Sequence, residues 1–280
     1  MTIANQPFLV PIRPDGLCDD FRKGGFQDID QYEPPSPKFG QIRSLSRSTF
    51  TAFIPEPSEA NGTGIIIYPG GGFRANAFDQ EGTETARWFQ ERGVAAFILS
   101  YGLTVDYEAH LWSALIDMAN PRSSIARIAE MTHQAATLAV EDGKQALRTV
   151  RQRAAEWQIR PDKIGMVGFS AGARVTVGVA TEYEADSRPD FAASIYGAHW
   201  KDTTVPPDAP PLFVLAASDD EWALTPSLTL YSAWRKAGHS VELHMYSSGG
   251  HGFGMKKQGL PVDNWIDRFN DWLHTQGLIS

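Results

Sequence analysis

Short, continuous apolar runs alternate with segments of helical periodicity along most of this chain. Apolar runs of this kind are typical of parallel strands that are buried on both faces. The predicted strands are Gly64–Tyr68, Val94–Leu99, Lys163–Val167, Phe191–Tyr196, Leu212–Ala216 and Val241–Tyr246. The predicted helices are Thr83–Arg92, Gln134–Trp157, Ala173–Ala180, Pro226–Lys236 and Val262–Leu273. This alternation indicates an α/β fold in which helices cover both faces of a mostly parallel central sheet.

Two segments depart from this alternation of strand and helix patterns. Residues 1–45 are rich in Pro, Gly, Asp and Gln, which predicts an irregular N-terminal arm, and the weak alternation of Arg43–Ile54 predicts an edge strand after it. Residues 103–133 carry apolar side chains at mixed helical spacing, interrupted at Asn120-Pro121. We expect two short helices here that form a cap insertion over the site. Helices that pack on a face of the sheet are the alternative.

Composition narrows the class of protein. The 280 residues are enough for one α/β domain over 1–280, and the hydrophobic content of 42% is ordinary for a soluble enzyme. The net charge of −8 disfavours nucleic acid and anionic membranes as partners. No apolar run approaches the ~18 residues of a membrane span, and the N-terminus does not resemble a signal peptide. Cys18 is the single cysteine, so no intrachain disulfide can form and we expect a cytoplasmic protein.

The sequence Gly168-Phe169-Ser170-Ala171-Gly172 lies between a predicted strand and a predicted helix. A G-x-S-x-G turn in this position exposes the serine hydroxyl at the end of the strand. Side chains at Gly168 or Gly172 would collide with the neighbouring strand and helix, while Ser170 would occupy a strained turn. We therefore predict that Ser170 is a nucleophile; a structural turn serine is the alternative.

A serine nucleophile requires a base and an acid that orients the base. His251 follows the strand Val241–Tyr246 in a glycine-rich loop, and Asp219-Asp220 follow the strand Leu212–Ala216. Because the carboxyl ends of parallel strands meet at one edge of the sheet, these side chains and Ser170 are expected to converge. Position along the chain does not decide between the two aspartates.

The other histidines and several aromatic residues have weaker claims to the site. His244 lies inside a predicted strand, and His239 follows the end of a predicted helix. Candidates for lining a substrate pocket are Phe73, Tyr101, His110, Trp112, His133, His199 and Trp222. Of these, Phe73, Trp112 and His199 are the preferred substrate-binding residues, with ordinary core packing as the alternative for each.

A developing oxyanion needs backbone N–H donors without side-chain obstruction. The sequence Pro69-Gly70-Gly71-Gly72-Phe73 follows the strand Gly64–Tyr68 and offers such donors. The N–H of Ala171, at the start of the helix after Ser170, is the second predicted donor. The rival interpretation, a phosphate-binding loop, requires a following Gly-Lys-Ser/Thr or a G-x-G-x-x-G spacing, and the sequence has neither.

These segments together resemble the α/β-hydrolase superfamily. The compact esterase branch, with its acetyl-xylan-esterase-like and dienelactone-hydrolase-like proteins, is most similar. The resemblance rests on Tyr68–Phe73, Gly168–Gly172, Ala216–Glu221 and Val241–Phe253. It implies oxyanion donors at Gly71 and Gly72 or, one residue later, Phe73. The family's D-x-x-V register fits Asp220 better than Asp219, which makes Asp220 the implied acid. The chain departs from the family at Ala173-Arg174, where Gly-His is usual.

The expected function is hydrolysis of short-chain or acetyl carboxylic esters through an acyl-enzyme, on a small-molecule substrate. Neither a metal ion nor an organic cofactor is needed for this chemistry. A lactonase that uses the same triad is one alternative, and a catalytically silent binding protein of this fold is another. The sequence leaves homo-oligomer formation open.

Overall fold

A central sheet of eight strands organises the residues described by the computed structural model, which are 7–12, 41–42, 48–73, 76–101, 121–197 and 203–279. In chain order its strands are β1 (Phe8–Pro11), β3 (Thr49–Phe53), β4 (Gly64–Tyr68), β6 (Ala95–Ser100), β7 (Ile164–Phe169), β8 (Ala192–Ile195), β9 (Leu212–Ala217) and β10 (Val241–Tyr246). Across the sheet the order is β1-β3-β6-β4-β7-β8-β9-β10. Strand β3 pairs antiparallel with both of its neighbours, and the remaining pairs are parallel. A separate two-stranded sheet joins β2 (Gln41–Ile42) to β5 (Asn76–Ala77).

Helices cover both faces of this sheet. They are α1 (Glu84–Gln90), α2 (Pro121–Gln152), α3 (Ala171–Glu182), α4 (Leu224–Ala237) and α5 (Trp265–Thr275), with shorter helical turns at Phe78–Thr83, Ala154–Trp157 and Pro261–Asn264. Alternate residues of one strand enter different cores: Ile66 packs in the cluster with α2, α3 and α4, and Ile65 in the cluster with α1 and α5. This alternation follows from the two-residue period of a strand. The predicted mostly parallel sheet with helices on both faces is confirmed.

Burial explains why the central strands have such uniformly apolar sequences. Every residue of β4, β6, β7, β8 and β9 is buried, because helices lie on both sides and strands on both flanks. Strand β10 is only half-buried along its whole length, as the position at the edge of the sheet requires. The active-site candidates at the ends of β7, β9 and β10 are thus carried by two interior strands and one edge strand.

The segment 103–133 differs from its prediction. Residues 121–133 belong to the single long helix α2, so the expectation of a separate short helix in this part is wrong. Pro121 is the first residue of α2, where its missing N–H costs no helical hydrogen bond. Residues 103–120 lie outside the described residues. None of the helices within the described ranges is long and apolar enough to cross a membrane.

The N-terminal predictions also need correction. Phe8–Pro11 is not irregular: it forms β1 and pairs antiparallel with β3 at the edge of the sheet. The predicted edge strand within Arg43–Ile54 exists as Thr49–Phe53, but it lies between β1 and β6 and is therefore not at the edge. Residues 1–6, 13–40 and 43–47 lie outside the described residues.

Gly165 shows how tightly the strand that leads to Ser170 is packed. A Cβ atom at this position would lie 2.4 Å from three ring atoms of Phe191, whose side chain is fully buried. The ring therefore occupies the space that any larger residue at position 165 would need.

We expect Gly165→Ala to lower the free energy of unfolding by about 1–3 kcal/mol, because overpacking a close-packed core forces neighbours to shift. Urea unfolding of the purified variant measures this loss. Phe191→Ala removes the three ring atoms that would clash, so the double variant should lose less stability than the sum of the two single variants. Additive losses would contradict the proposed contact.

Candidate active site

Ser170 occupies a sharp turn between β7 and α3. Its backbone angles, φ 51° and ψ −114°, lie in a region that residues with a Cβ rarely adopt. The flanking glycines make the turn possible. A Cβ at Gly168 would lie 2.3 Å from Thr176 Oγ1, and a Cβ at Gly172 would lie 2.0 Å from the carbonyl oxygen of Tyr68. The predicted collisions at both glycines are confirmed.

Ser170, His251 and Asp220 form a continuous series of hydrogen bonds. Ser170 Oγ lies 2.8 Å from His251 Nε2, and His251 Nδ1 lies 2.7 Å from Asp220 Oδ2. A carboxylate can only accept, so Nδ1 carries the proton that binds Asp220. In the neutral imidazole Nε2 is then free to accept the hydrogen of the serine hydroxyl. This arrangement can remove a proton from Ser170.

The two neighbouring aspartates have different surroundings. The Asp220 side chain is 1% exposed, and its Oδ1 also accepts hydrogen bonds from the backbone N–H groups of Trp222 and Ala223. Asp219 is exposed and accepts hydrogen bonds from the N–H groups of Gly250 and Gly249, which lower the pKa of its carboxyl. Asp220 therefore contacts the imidazole, and Asp219 holds the backbone of the loop that carries His251.

The glycine-rich loop after β4 lies directly against the serine turn. A Cβ at Gly70 would be 2.8 Å from both Ser170 Cβ and the carbonyl oxygen of Phe169. The backbone then takes positive φ angles at Gly71, Gly72 and Phe73, of 127°, 65° and 62°. The Gly70 N–H is engaged elsewhere, because it donates to Glu81 Oε2 at 2.5 Å.

Ala171 is the first residue of α3. The first N–H groups of a helix have no partner within the helix, and its dipole favours negative charge at this end. Ala171 thus starts a helix whose first turn packs against the loop after β4, and its N–H stays a predicted oxyanion donor together with those of Gly71 and Gly72.

Glu81 is a buried acidic residue that no sequence motif singled out. Its Oε1 accepts the hydroxyl hydrogen of Tyr196 at 2.8 Å, while the Tyr196 oxygen accepts the N–H of Gly254 at 3.1 Å. Burial raises the pKa of the Glu81 carboxyl, and the hydrogen bonds from Gly70 and Tyr196 oppose that shift. The Tyr196 ring packs edge-on against the His251 ring, with centroids 5.2 Å apart. Glu81 therefore links the glycine-rich loop to the segment that follows His251.

The aromatic pocket candidates divide into buried and exposed residues. Phe73 is buried edge-on against Tyr101, whose hydroxyl donates to the carbonyl oxygen of Pro69 at 2.6 Å. Both thus support the glycine-rich loop. Trp222 is 71% exposed, and its ring centroid lies 5.3 Å from that of His251. Trp112 and His199, the other preferred substrate-binding residues, lie outside the described residues, as does His110.

Three further histidines have separate partners. His133 Nδ1 lies 3.4 Å from the guanidinium of Arg174, the residue at which the chain departs from the usual Gly-His. His244 of β10 packs on Phe213 of β9, and His239, two residues beyond the end of α4, has its Nε2 2.9 Å from the carbonyl oxygen of Pro206. Within the described ranges, no group of three or more His, Cys, Asp or Glu residues is placed to hold a metal ion.

Comparison with known proteins places this chain in a family. Residues 50–270 match the profile of the dienelactone hydrolase family. An acetylxylan esterase from Xylanibacter ruminicola is 25% identical over 260 residues, which cover 81% of this chain and 48% of that protein. The chain spans less than half the length of the curated relatives that it matches.

Solved structures agree on the fold. An acetyl ester-xyloside bifunctional hydrolase from Caldicellulosiruptor lactoaceticus has a TM-score of 0.71 at 21% identity, with 100% of both chains covered. MGS-M1, an alpha/beta hydrolase enzyme from a Medee basin deep-sea metagenome library, has a TM-score of 0.62 at 24% identity, covering 86% of this chain and 94% of that one. The predicted α/β-hydrolase fold and the family resemblance are both confirmed.

We expect Glu81→Gln to lower the free energy of unfolding by about 1–3 kcal/mol, the cost of leaving a buried donor without an acceptor. Glu81 accepts from both Gly70 and Tyr196, whereas an amide has only one acceptor oxygen. Either orientation of the amide leaves one hydrogen without a partner.

Urea unfolding of the Glu81→Gln variant measures this loss. The matched control is Glu84→Gln, an exposed acid on α1, which should change stability by less than about 0.5 kcal/mol. Equal stability of the two variants would contradict the role of Glu81.

Proposed function

Because the chain belongs to the dienelactone hydrolase family, we propose that it is a serine hydrolase that cleaves carboxylic esters through an acyl-enzyme. One observation carries the proposal: a serine in a strained turn, 2.8 Å from an imidazole whose other nitrogen contacts a buried carboxylate. The names of two relatives mention acetyl esters or acetylxylan, which supports a small ester with a short acyl group as the substrate.

In the first half of the reaction, His251 Nε2 accepts the hydroxyl proton of Ser170 while Oγ attacks the ester carbonyl. The carbonyl oxygen becomes an oxyanion that accepts hydrogen bonds from the N–H groups of Ala171 and of Gly71 or Gly72. The tetrahedral intermediate collapses when the protonated imidazole gives its proton to the departing alkoxide. Ser170 is left acylated and the alcohol leaves.

Water completes the cycle by the same steps. His251 takes a proton from a water molecule, whose oxygen attacks the acyl carbonyl and releases the carboxylic acid when Ser170 regains its proton. Asp220 keeps the Nδ1 proton in place through both halves and stabilises the positive imidazolium. Its burial and its two backbone donors hold the carboxylate in one orientation.

A cyclic ester is the second candidate substrate, because the family is named for the hydrolysis of a lactone. The bond broken and the groups that break it are the same, but the alcohol remains tethered to the acyl-enzyme. The ratio of kcat/KM for an open-chain acetate to that for a small lactone distinguishes the two.

We expect Ser170→Ala to lower kcat on a short-chain aryl ester by at least about 10⁴-fold, because the nucleophile is lost while the binding surface remains. Labelling by a fluorophosphonate should disappear with the activity. Ser232→Ala is the control, since that exposed serine on α4 bonds only the local carbonyl of Leu228 in the described structure. A Ser170→Ala variant that keeps most of its activity would refute Ser170 as the nucleophile, and a folded wild type that resists labelling would favour the silent binding protein.

We expect separate Asn substitutions at the two aspartates to differ sharply. Asp220→Asn presents an amide to His251 Nδ1 and favours the wrong tautomer, which should lower kcat by about 10⁴-fold. Asp219→Asn keeps one acceptor oxygen for the two loop N–H groups, and the side chain is exposed. The loss of kcat in this variant should therefore stay below about tenfold. Steady-state kinetics on one ester compares them, and the reverse order would refute the assignment of Asp220.

A further inference from the structure

Trp222 exposes a large apolar surface next to the reacting groups. Its side chain is 71% exposed, and its ring centroid lies 5.3 Å from that of His251, with the two planes at 56°. A single exposed hydrophobic residue is ordinary on a protein surface, so the significance of Trp222 lies in its contact with the imidazole. The other large hydrophobic residues exposed within the described structure are Phe8 and Leu9 in β1 and Leu228 in α4.

The chemistry determines which part of an ester lies beside this indole. The protonated imidazole must deliver its proton to the alkoxide oxygen as the tetrahedral intermediate collapses, so the alcohol part of the substrate lies next to His251. The oxyanion is held by the N–H groups of Ala171 and of the loop that contains Gly71 and Gly72. Trp222 contacts the imidazole, and it therefore lies on the alcohol side of the scissile bond.

Within the described residues, the surface around the imidazole is open on this side. Gly250 and Gly252 flank His251 with positive φ angles of 66° and 76°, and a Cβ at either position would meet no described atom within 4 Å. Glu221, next to Trp222, is exposed as well. An alcohol much larger than ethanol can therefore extend outward across the indole without displacing the described protein atoms.

We propose that Trp222 is the platform for a pyranose ring whose hydroxyl carries the scissile ester, so that the substrates are acylated sugars. This inference rests on the proposed ester hydrolase function. A pyranose has a flat face of C–H groups that packs on an aromatic ring, while its hydroxyl groups remain in water or reach Glu221. A short alkyl alcohol is too small to cover the indole, so it gains little from Trp222.

The backbone allows Trp222 to be changed without disturbing the groups that react. The N–H of Trp222 donates to Asp220 Oδ1 at 3.0 Å, and an alanine at this position keeps that donor. The exposed indole contributes little to the core, so the variant is expected to fold. Unchanged urea unfolding checks this expectation before the kinetics are measured.

The test compares two substrates with the same acyl group, acetylated methyl xylopyranoside and ethyl acetate. We expect Trp222→Ala to lower kcat/KM on the sugar ester by about tenfold, which corresponds to about 1.4 kcal/mol of transition-state stabilisation. On ethyl acetate kcat/KM should change by less than about twofold. Trp222→Phe, which keeps an aromatic face, should recover most of the loss, and the exposed control Leu228→Ala should leave both substrates unaffected.

The outcomes separate this inference from the proposed function. Equal losses on both esters would mean that Trp222 only positions His251, and unchanged kinetics on both would mean that it binds nothing; each result overturns the inference. If the wild type hydrolyses ethyl acetate but Trp222→Ala causes no selective loss on the sugar ester, only the esterase proposal stands. A wild type that is inactive on both esters overturns both.

Discussion

The close approach between the serine turn and the loop after β4 is the constraint on which the rest of the site depends. Gly172 lies so near the carbonyl oxygen of Tyr68 that a Cβ there would be 2.0 Å away, and a Cβ at Gly70 would be 2.8 Å from Ser170 Cβ. Two backbone segments from adjacent strands thus meet without side chains between them. The nucleophile and the candidate oxyanion donors are placed relative to one another by this contact, before any side chain is oriented.

Much of this arrangement could be predicted because its causes are local. Strands buried on both faces must be continuously apolar, and a serine flanked by glycines between strand and helix has few other conformations. The order of Ser170, Asp220 and His251 then follows from the parallel sheet, since each lies just beyond a strand that ends at the same edge. The preference for Asp220 over Asp219 rests on the family resemblance. Both residues are aspartates, and the sequence does not show which of the two side chains points towards the imidazole.

What the sequence could not reveal depends on long-range contacts. Glu81 is 115 residues from Tyr196, and its position just before α1 is where an acidic residue would ordinarily complement a helix dipole. Nothing local indicates that its carboxyl is buried against Gly70. The error in 121–133 has a similar origin: a helix that begins at Pro121 agrees with the interruption at Asn120-Pro121, but nothing local shows that this helix continues without a break to Gln152.

The half-buried strand β10 has a consequence for how this protein loses activity. His251 follows β10, which has a single neighbour in the sheet, whereas Ser170 follows β7 in its interior. Strands with fewer buried contacts open at lower free energy than the strands of a core. We therefore expect the base to be displaced while the nucleophile stays in place. On this expectation, inactivation by mild denaturation would need only one peripheral strand to lose its pairing.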